Sequence, residues 1–386
     1  MAMTGAFTST PTAALEALID IRPLHVHLKQ EALACAYRLQ ATGLCKSHTA
    51  TSGDSHTLLW PQLAAWGEDV LAPSDMTIAC SFPHRTFSVN IPPRRDWLSD
   101  LVERQLEEHV VCYTDGSLLK GRAGAGVYCR ELSLQHSHPL GRHCTVFQAE
   151  VFAILCGARA ALRQGMCGRI IDFCSDSQAA IKALISADSR SRLVIECRNQ
   201  IEELSILNTV YLLWVPGHSG IFGNEWADEL ARKGAQTDFV GPEPALPISS
   251  GRIKQKIRSW ASLEHARIWQ GTETCRQTKT FLEHPSVAIS KSLLQFSKHN
   301  CSTLVRALTG HCKLNYHMAT IQRAESYACD LCQSDYGTSY HLVCVCPAVA
   351  QLRIRIFGCA SMDESKFRKV RLADILLFLM RSGKEL

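Results

Sequence analysis

Four acidic residues stand in contexts that suit metal-dependent phosphodiester chemistry: Asp115, Glu150, Asp176 and Asp228. Asp115 follows the apolar run His109-Val110-Val111-Cys112-Tyr113-Thr114, and Asp176 follows a second such run over 170–174. Glu150 falls in the first turn of a helix expected over 148–163, and Asp228 in one over 223–234. Acids at the ends of adjacent strands in an α/β sheet point into one crevice, where crowded carboxylates stay ionised only if cations neutralise them. Phosphodiester hydrolysis uses such a crevice: two Mg²⁺ or Mn²⁺ ions about 4 Å apart activate water and stabilise the leaving oxygen. Asp115, on the central strand, is expected to bridge both ions. Singly, each acid reads as readily as a turn residue, helix cap or solvated position, so the weight lies in the four together.

A second cluster has ligand spacing of a softer kind. Cys329, Cys332, His341 and Cys346 read as C-x2-C-x8-H-x4-C, the donor set of a closed tetrahedral structural zinc site. Cys344 is a competing ligand by position, whereas His311, Cys312 and His317 upstream read as core or surface residues. The remaining cysteines of the 18 are scattered and are expected to be reduced and buried as small apolar groups.

The elements that must position these groups follow from periodicity and punctuation. Residues 1–45 read as helical and 46–107 as an irregular linker that includes Ile91-Pro92-Pro93-Arg94-Arg95. From 108 to 236, strands are expected over 109–114, 123–128, 144–147, 170–174 and 209–215. Helices are expected over 148–163, 177–186, 191–205 and 223–234. Strands first, then strands alternating with helices, give an α/β fold: a mixed five-stranded sheet flanked by helices. A Pro-rich linker over 237–250 precedes a basic helical region over 251–325, the cysteine segment over 326–350 and a helical tail over 351–386.

Charge is unevenly spread. Residues 108–236 carry 13 Lys/Arg against 13 Asp/Glu, whereas 251–324 carry 12 against 3. The second stretch is therefore expected to bind a polyanion, nucleic acid first. No apolar run reaches the length of a membrane span, and the N-terminus lacks a basic segment followed by an apolar one. The expectation is a soluble, intracellular chain, in nucleus or cytoplasm, with no membrane partner and no small-molecule substrate.

Four local sequences carry a resemblance. Tyr113-Thr114-Asp115-Gly116-Ser117, Phe147-Gln148-Ala149-Glu150, Cys174-Ser175-Asp176-Ser177-Gln178-Ala179-Ala180 and the stretch from Trp214 to Asp228, with His218, Asn224 and Asp228, resemble in order the motifs of type 1 ribonuclease H. The resemblance implies a ribonuclease H-like fold and hydrolysis of the RNA strand of RNA–DNA hybrids, with Asp115, Glu150, Asp176 and Asp228 as metal ligands. It implies that His218 assists proton transfer and product release, a task that suits imidazole at neutral pH. Gly116 and Ser117 would approach the hybrid backbone, and Asn224 would order the loop and helix around Asp228. The wider arrangement resembles the C-terminal part of a non-LTR retrotransposon polyprotein, with residues 5–39 similar to the end of its reverse transcriptase and a CCHC zinc knuckle after the nuclease. No Tyr-x-Asp-Asp polymerase motif is present.

Two other classes remain beside the nuclease. One is an inert nucleic-acid-binding remnant, in which the basic region and the cysteine cluster bind without cleavage. The other is a DNA-cutting transposase or integrase, which shares the fold but not the stretch from His218 to Asp228.

Overall fold

The computed structural model describes residues 4–44, 57–93 and 109–384. Helices α1 (Thr12–Leu18) and α2 (Leu24–Ala41) correspond to the helical N-terminal expectation. The stretch expected to be an irregular linker instead holds short helices α3 (Trp60–Ala64) and α4 (Glu68–Leu71) and strands β1 (Met76–Ser81) and β2 (Ser88–Asn90). The remainder of that stretch, with Arg94 and Arg95, lies outside the described residues.

Next come β3 (Val110–Leu119), β4 (Arg122–Cys129), β5 (Leu134–Gly141), helix α5 (Val146–Arg163) and β6 (Ile170–Ser175). After them follow α6 (Gln178–Leu184), β7 (Asp188–Ser191), α7 (Arg192–Leu204), β8 (Thr209–Trp214) and α8 (Phe222–Gln236). Together these elements make a mixed α/β fold, with a six-stranded sheet in the order β2-β8-β6-β3-β4-β5 flanked by helices and a separate pair formed by β1 and β7. β2, β8, β6 and β3 run parallel, and β4 and β5 are antiparallel.

Two expectations for the strands of this sheet are corrected. The sheet has six strands, because β2 adds itself in parallel to β8, with Val89 opposite Leu212. The strand expected at 144–147 is the start of α5: the Thr145 hydroxyl accepts from the Gln148 backbone N–H, and the Gln148 side chain accepts from the Thr145 N–H. That reciprocal cap satisfies donors a helix start leaves open. The third strand is β5, whose Leu134-Gln135-His136-Ser137-His138 is too polar to read as a buried strand.

The chain divides into two compact units, Ala32–Lys256 and a discontinuous one made of Met1–Glu31 with Ile257–Leu386. In the first, Ile154, Leu155, Ile171, Phe173 and Leu212 form a dry core. On the opposite face of the sheet, Gly126 lets α8 lie directly on β4: a Cβ there would stand 2.1 Å from the Ala227 carbonyl oxygen. The later helices are α9 (Ser250–Gly271), α10 (Arg276–Phe281), α11 (Val287–Leu294), α12 (Lys298–Thr309) and α13 (Asn315–Thr320). The stretch expected as a helical tail holds three helices, α14 (Ala350–Phe357), α15 (Glu364–Phe367) and α16 (Leu372–Arg381). In the discontinuous unit Leu15 and Leu18 share a core with Trp269, Leu304 and Phe378. Among the described residues no helix is long and apolar enough to cross a membrane.

Candidate active site

Parallel pairing of β3 with β6 ends at Thr114 opposite Ser175, while β3 continues along β4. Asp115 is therefore mid-strand rather than after the strand, and it is the first residue past the point where its parallel neighbour stops. Asp176 directly follows β6, so both acids stand at the mouth opened there. Glu150 is brought in by the start of α5. Gly116 permits that approach, since a Cβ at 116 would lie 2.5 Å from the Glu150 backbone nitrogen. This packing role is what the structure shows for Gly116; Ser117, half-buried, is next on the strand.

Carboxylate oxygens of Asp115, Glu150 and Asp176 lie within 4.8 Å of one another. Burial, then the charges of Asp176 and Asp228, push the Asp115 carboxyl up to about 7. Glu150 is raised well above the usual carboxylate range, first by burial and then by Asp115 and Asp176. Asp176 is raised by burial and by Asp228, and the nearby His218 opposes that rise. Such a trio holds protons or cations but not three bare charges. Glu150 Oε2 is buried with no hydrogen-bond partner among the described residues. An orphaned hard oxygen amid carboxylates fits a divalent cation. The residues present therefore suit Mg²⁺ or Mn²⁺.

The fourth acid is nearby in a different state. Asp228, on the second turn of α8, raises Asp115 by its charge, but its own two oxygens are clasped by Arg232, with Nε donating to Oδ1 at 3.1 Å and Nη2 to Oδ2. It stands outside the group of three. Sequence reasoning missed Arg232, although its place four residues after Asp228 on a helix is the spacing at which such pairs form. It also missed Gly217, where a Cβ would lie 2.5 Å from Asp176 Oδ2, and Trp214, whose indole N–H donates to the Asp176 carbonyl. His218 is exposed, with φ +52°, in the loop before α8. Asn224 is buried on the first turn of α8, and its Oδ1 has no partner among the described residues.

In the other unit, one ligand atom each from Cys329, Cys332, His341 and Cys346 lies within 4.8 Å of the rest. The Cys329 and Cys346 sulfurs are 3.9 Å apart, and Cys332 Sγ is 3.3 Å from His341 Nε2. Bonds of about 2.3 Å to a tetrahedral zinc would set sulfurs about 3.8 Å apart, so the donor set fits Zn²⁺. Hydrogen bonds from Ser334 draw the Cys332 thiol down to about 6, toward the ligating thiolate. His341 Nδ1 faces Asp335 at 3.4 Å, the outer contact that orients a ligating imidazole. Cys344 is not in this group: it is packed in the apolar core of the unit. His311, Cys312 and His317 are likewise absent from it.

The fold and the acid cluster define a nuclease-type mixed α/β unit. Residues 107–236 match the family model described as RNase H. Among solved structures, the chain is similar to RNase H1 from the halophilic archaeon Halobacterium salinarum NRC-1. The identity is 26%, the match covers 33% of this chain and 96% of that one, and the TM-score is 0.27. The family match supports ribonuclease H activity and binding to nucleic acid hybrids in general.

Proposed function

We propose that this chain is an endonuclease that hydrolyses the RNA strand of RNA–DNA hybrids with two divalent metal ions. We also propose that it derives from the C-terminal part of a non-LTR retrotransposon polyprotein. The observation that carries the first reading is the convergence of Asp115, Glu150 and Asp176, with Glu150 Oε2 left unpartnered. The domain reading goes with it: nuclease over 108–236, basic helical region over 251–325, zinc segment over 326–350.

Asp115, Glu150, Asp176 and Asp228 would hold the ions, which when bound supply a nucleophilic water and neutralise the leaving oxygen. The chain's own contribution is positional. β3 and β6 fix Asp115 and Asp176 at the mouth of the sheet, and α5 delivers Glu150 from the side. The attacking water forms the new P–O bond as the bond to the 3′ oxygen breaks, which leaves a 5′-phosphate and a 3′-hydroxyl. His218, exposed on the loop before α8, would take up or return a proton as product leaves. Gly116, Ser117 and Asn224 line or order the approach of the hybrid.

The reading of an inert nucleic-acid-binding remnant draws on one feature, the Arg232 clasp on Asp228. One assay separates them. Purified protein with Mg²⁺ should cut the RNA of a labelled hybrid, and Asp176→Asn should bind the hybrid while its cleavage falls by about 10³-fold or more. Binding without metal-dependent cleavage in the unsubstituted protein establishes the remnant instead, and cutting of duplex DNA would point to the transposase class.

A further inference from the structure

Three tyrosines in the discontinuous unit do not behave as core residues. Tyr316, Tyr327 and Tyr336 are 42%, 44% and 60% exposed, although they touch one another. The Tyr316 ring centroid is 5.7 Å from that of Tyr327 and 5.6 Å from that of Tyr336, and Tyr327 and Tyr336 are 6.3 Å apart. Aromatic rings that find each other without finding cover leave π-faces available to a ligand.

Backbone contacts hold the group in place. The Tyr316 N–H donates to the Gly337 carbonyl, the Gly337 N–H donates to the Tyr327 carbonyl, and Ala328 bridges Tyr336 in antiparallel fashion. The Asn315 side chain donates to the Ala328 carbonyl at 2.8 Å, pinning the 327–337 hairpin to the start of α13.

Tyr316 also forms part of the wall of a cavity of about 310 Å³, together with Arg276, Gln277, His311, Thr338 and Ser339. This wall offers a guanidinium, an amide and hydroxyls. Gln277 Nε2 is buried and has no hydrogen-bond partner among the described residues. A buried amide donor without an acceptor is unfavourable until a ligand supplies one. Cys275, which also lines the cavity, leads into α10 with φ +66°.

We propose that the Tyr316–Tyr327–Tyr336 cluster and the adjoining cavity form a binding site for single-stranded nucleic acid. Bases stack on the exposed rings and one unpaired base enters the cavity, where the Gln277 amide meets an acceptor on its edge. Charge selects this occupant. The excess of 12 Lys/Arg over 3 Asp/Glu along 251–324 favours a polyanion, and exposed Arg276 stands at the cavity to meet a phosphate. Paired bases in a duplex hide their faces, so the site discriminates in favour of single strands. The inference goes beyond hydrolysis at the carboxylates and would stand if that activity were absent.

The test is fluorescence anisotropy of the full chain, without added Mg²⁺ or Mn²⁺, on labelled single-stranded DNA and RNA of about twelve nucleotides. Duplexes of the same sequence and an abasic strand of the same length serve as comparisons. Tyr336→Ala and the pair Tyr327→Ala with Tyr336→Ala should weaken single-strand binding by roughly tenfold or more, with little change on duplex. Tyr336→Phe should retain affinity, and Gln277→Leu should level differences among homopolymers. Circular dichroism confirms that the exposed substitutions leave the fold intact. Equal binding of the abasic strand, or unchanged affinity in the alanine variants, overturns the proposal, including in favour of a protein partner for the tyrosines. Hybrid cleavage in Mg²⁺ by the same preparations reports separately on the nuclease. DNA and RNA arms of equal affinity mark recognition of base faces; an RNA preference adds the 2′-hydroxyl as a recognised group.

Discussion

At His311 the imidazole is half-buried beside His317, with ring centroids 4.6 Å apart, and the Ser9 hydroxyl lies 3.2 Å from a nitrogen of each ring. Burial and the neighbouring His317 push its pKa down to about 4. The unfolded chain, where the ring titrates near 6.5, binds this proton more readily than the folded one. The resulting stability is complete above pH 6.5 and is lost as pH falls towards 4. Because the ring is only half-buried, solvent screening reduces the full linkage, and the expected loss is about 1–2 kcal/mol. Urea denaturation from pH 7 to pH 4 should show this slope, and His311→Gln should flatten it. An unchanged slope in the variant would assign the acid sensitivity elsewhere, for instance to His317 or His265, whose rings burial also holds below the usual imidazole range. His311 looked inert in the sequence because its neighbours there do not include Ser9. The motif acids were legible because each lies in a short stretch whose flanking residues fix its local structure.

At the scale of elements, the site depends on how closely α5 lies against β3. The strand supplies no side chain at 116, and the backbone of Ala149 and Glu150 fills the space. Backbone cannot turn aside as a flexible side chain can, so Gly116→Ala must separate strand from helix. The expected outcome is a loss of about 2–4 kcal/mol in denaturation, together with a fall in hybrid cleavage as Glu150 leaves the cluster. If both survive, α5 is free to slide and the site is less rigid than its packing implies. The glycine was visible in the sequence beside Asp115, but its partner was not, because nothing in residues 113–117 says that helix residues thirty positions later will press on them. The same limit hid β2. Three residues, Ser88-Val89-Asn90, carry too little periodicity to announce a strand, and only the open edge of β8 makes them one. At 144–147 the apolar pattern misled because the capping pair Thr145 and Gln148 outweighs it.

For the molecule as a whole, composition suggests a cut near 250, between a neutral nuclease and a basic tail, but the fold places its divisions elsewhere. Residues Met1–Glu31 belong with Ile257–Leu386, and Leu15, Ala17 and Leu18 are buried in that core. Apolar spacing in α1 tells that a face will be covered without telling by what, so a unit assembled from both ends of the chain stayed out of reach of the sequence. Electrostatics places a second constraint on the cut. Buried Asp69 receives Arg252 Nε at 3.1 Å and Lys256 Nζ at 2.6 Å, so the Ala32–Lys256 unit keeps its cations only if it runs to 256. A fragment of residues 1–250 would strip both partners from that carboxylate and expose the apolar face of α1, two changes that each favour aggregation. A fragment of residues 32–256 has neither defect and retains Asp115, Glu150, Asp176 and Asp228. It should remain monodisperse in size-exclusion chromatography and cleave the RNA of a hybrid in Mg²⁺ within a few-fold of the full chain at saturating substrate. Its affinity for single strands should fall, because the tyrosine cluster is gone. Soluble, active 1–250 beside insoluble 32–256 would reverse the assignment of the chain ends, and full single-strand affinity in 32–256 would return that binding to the nuclease unit.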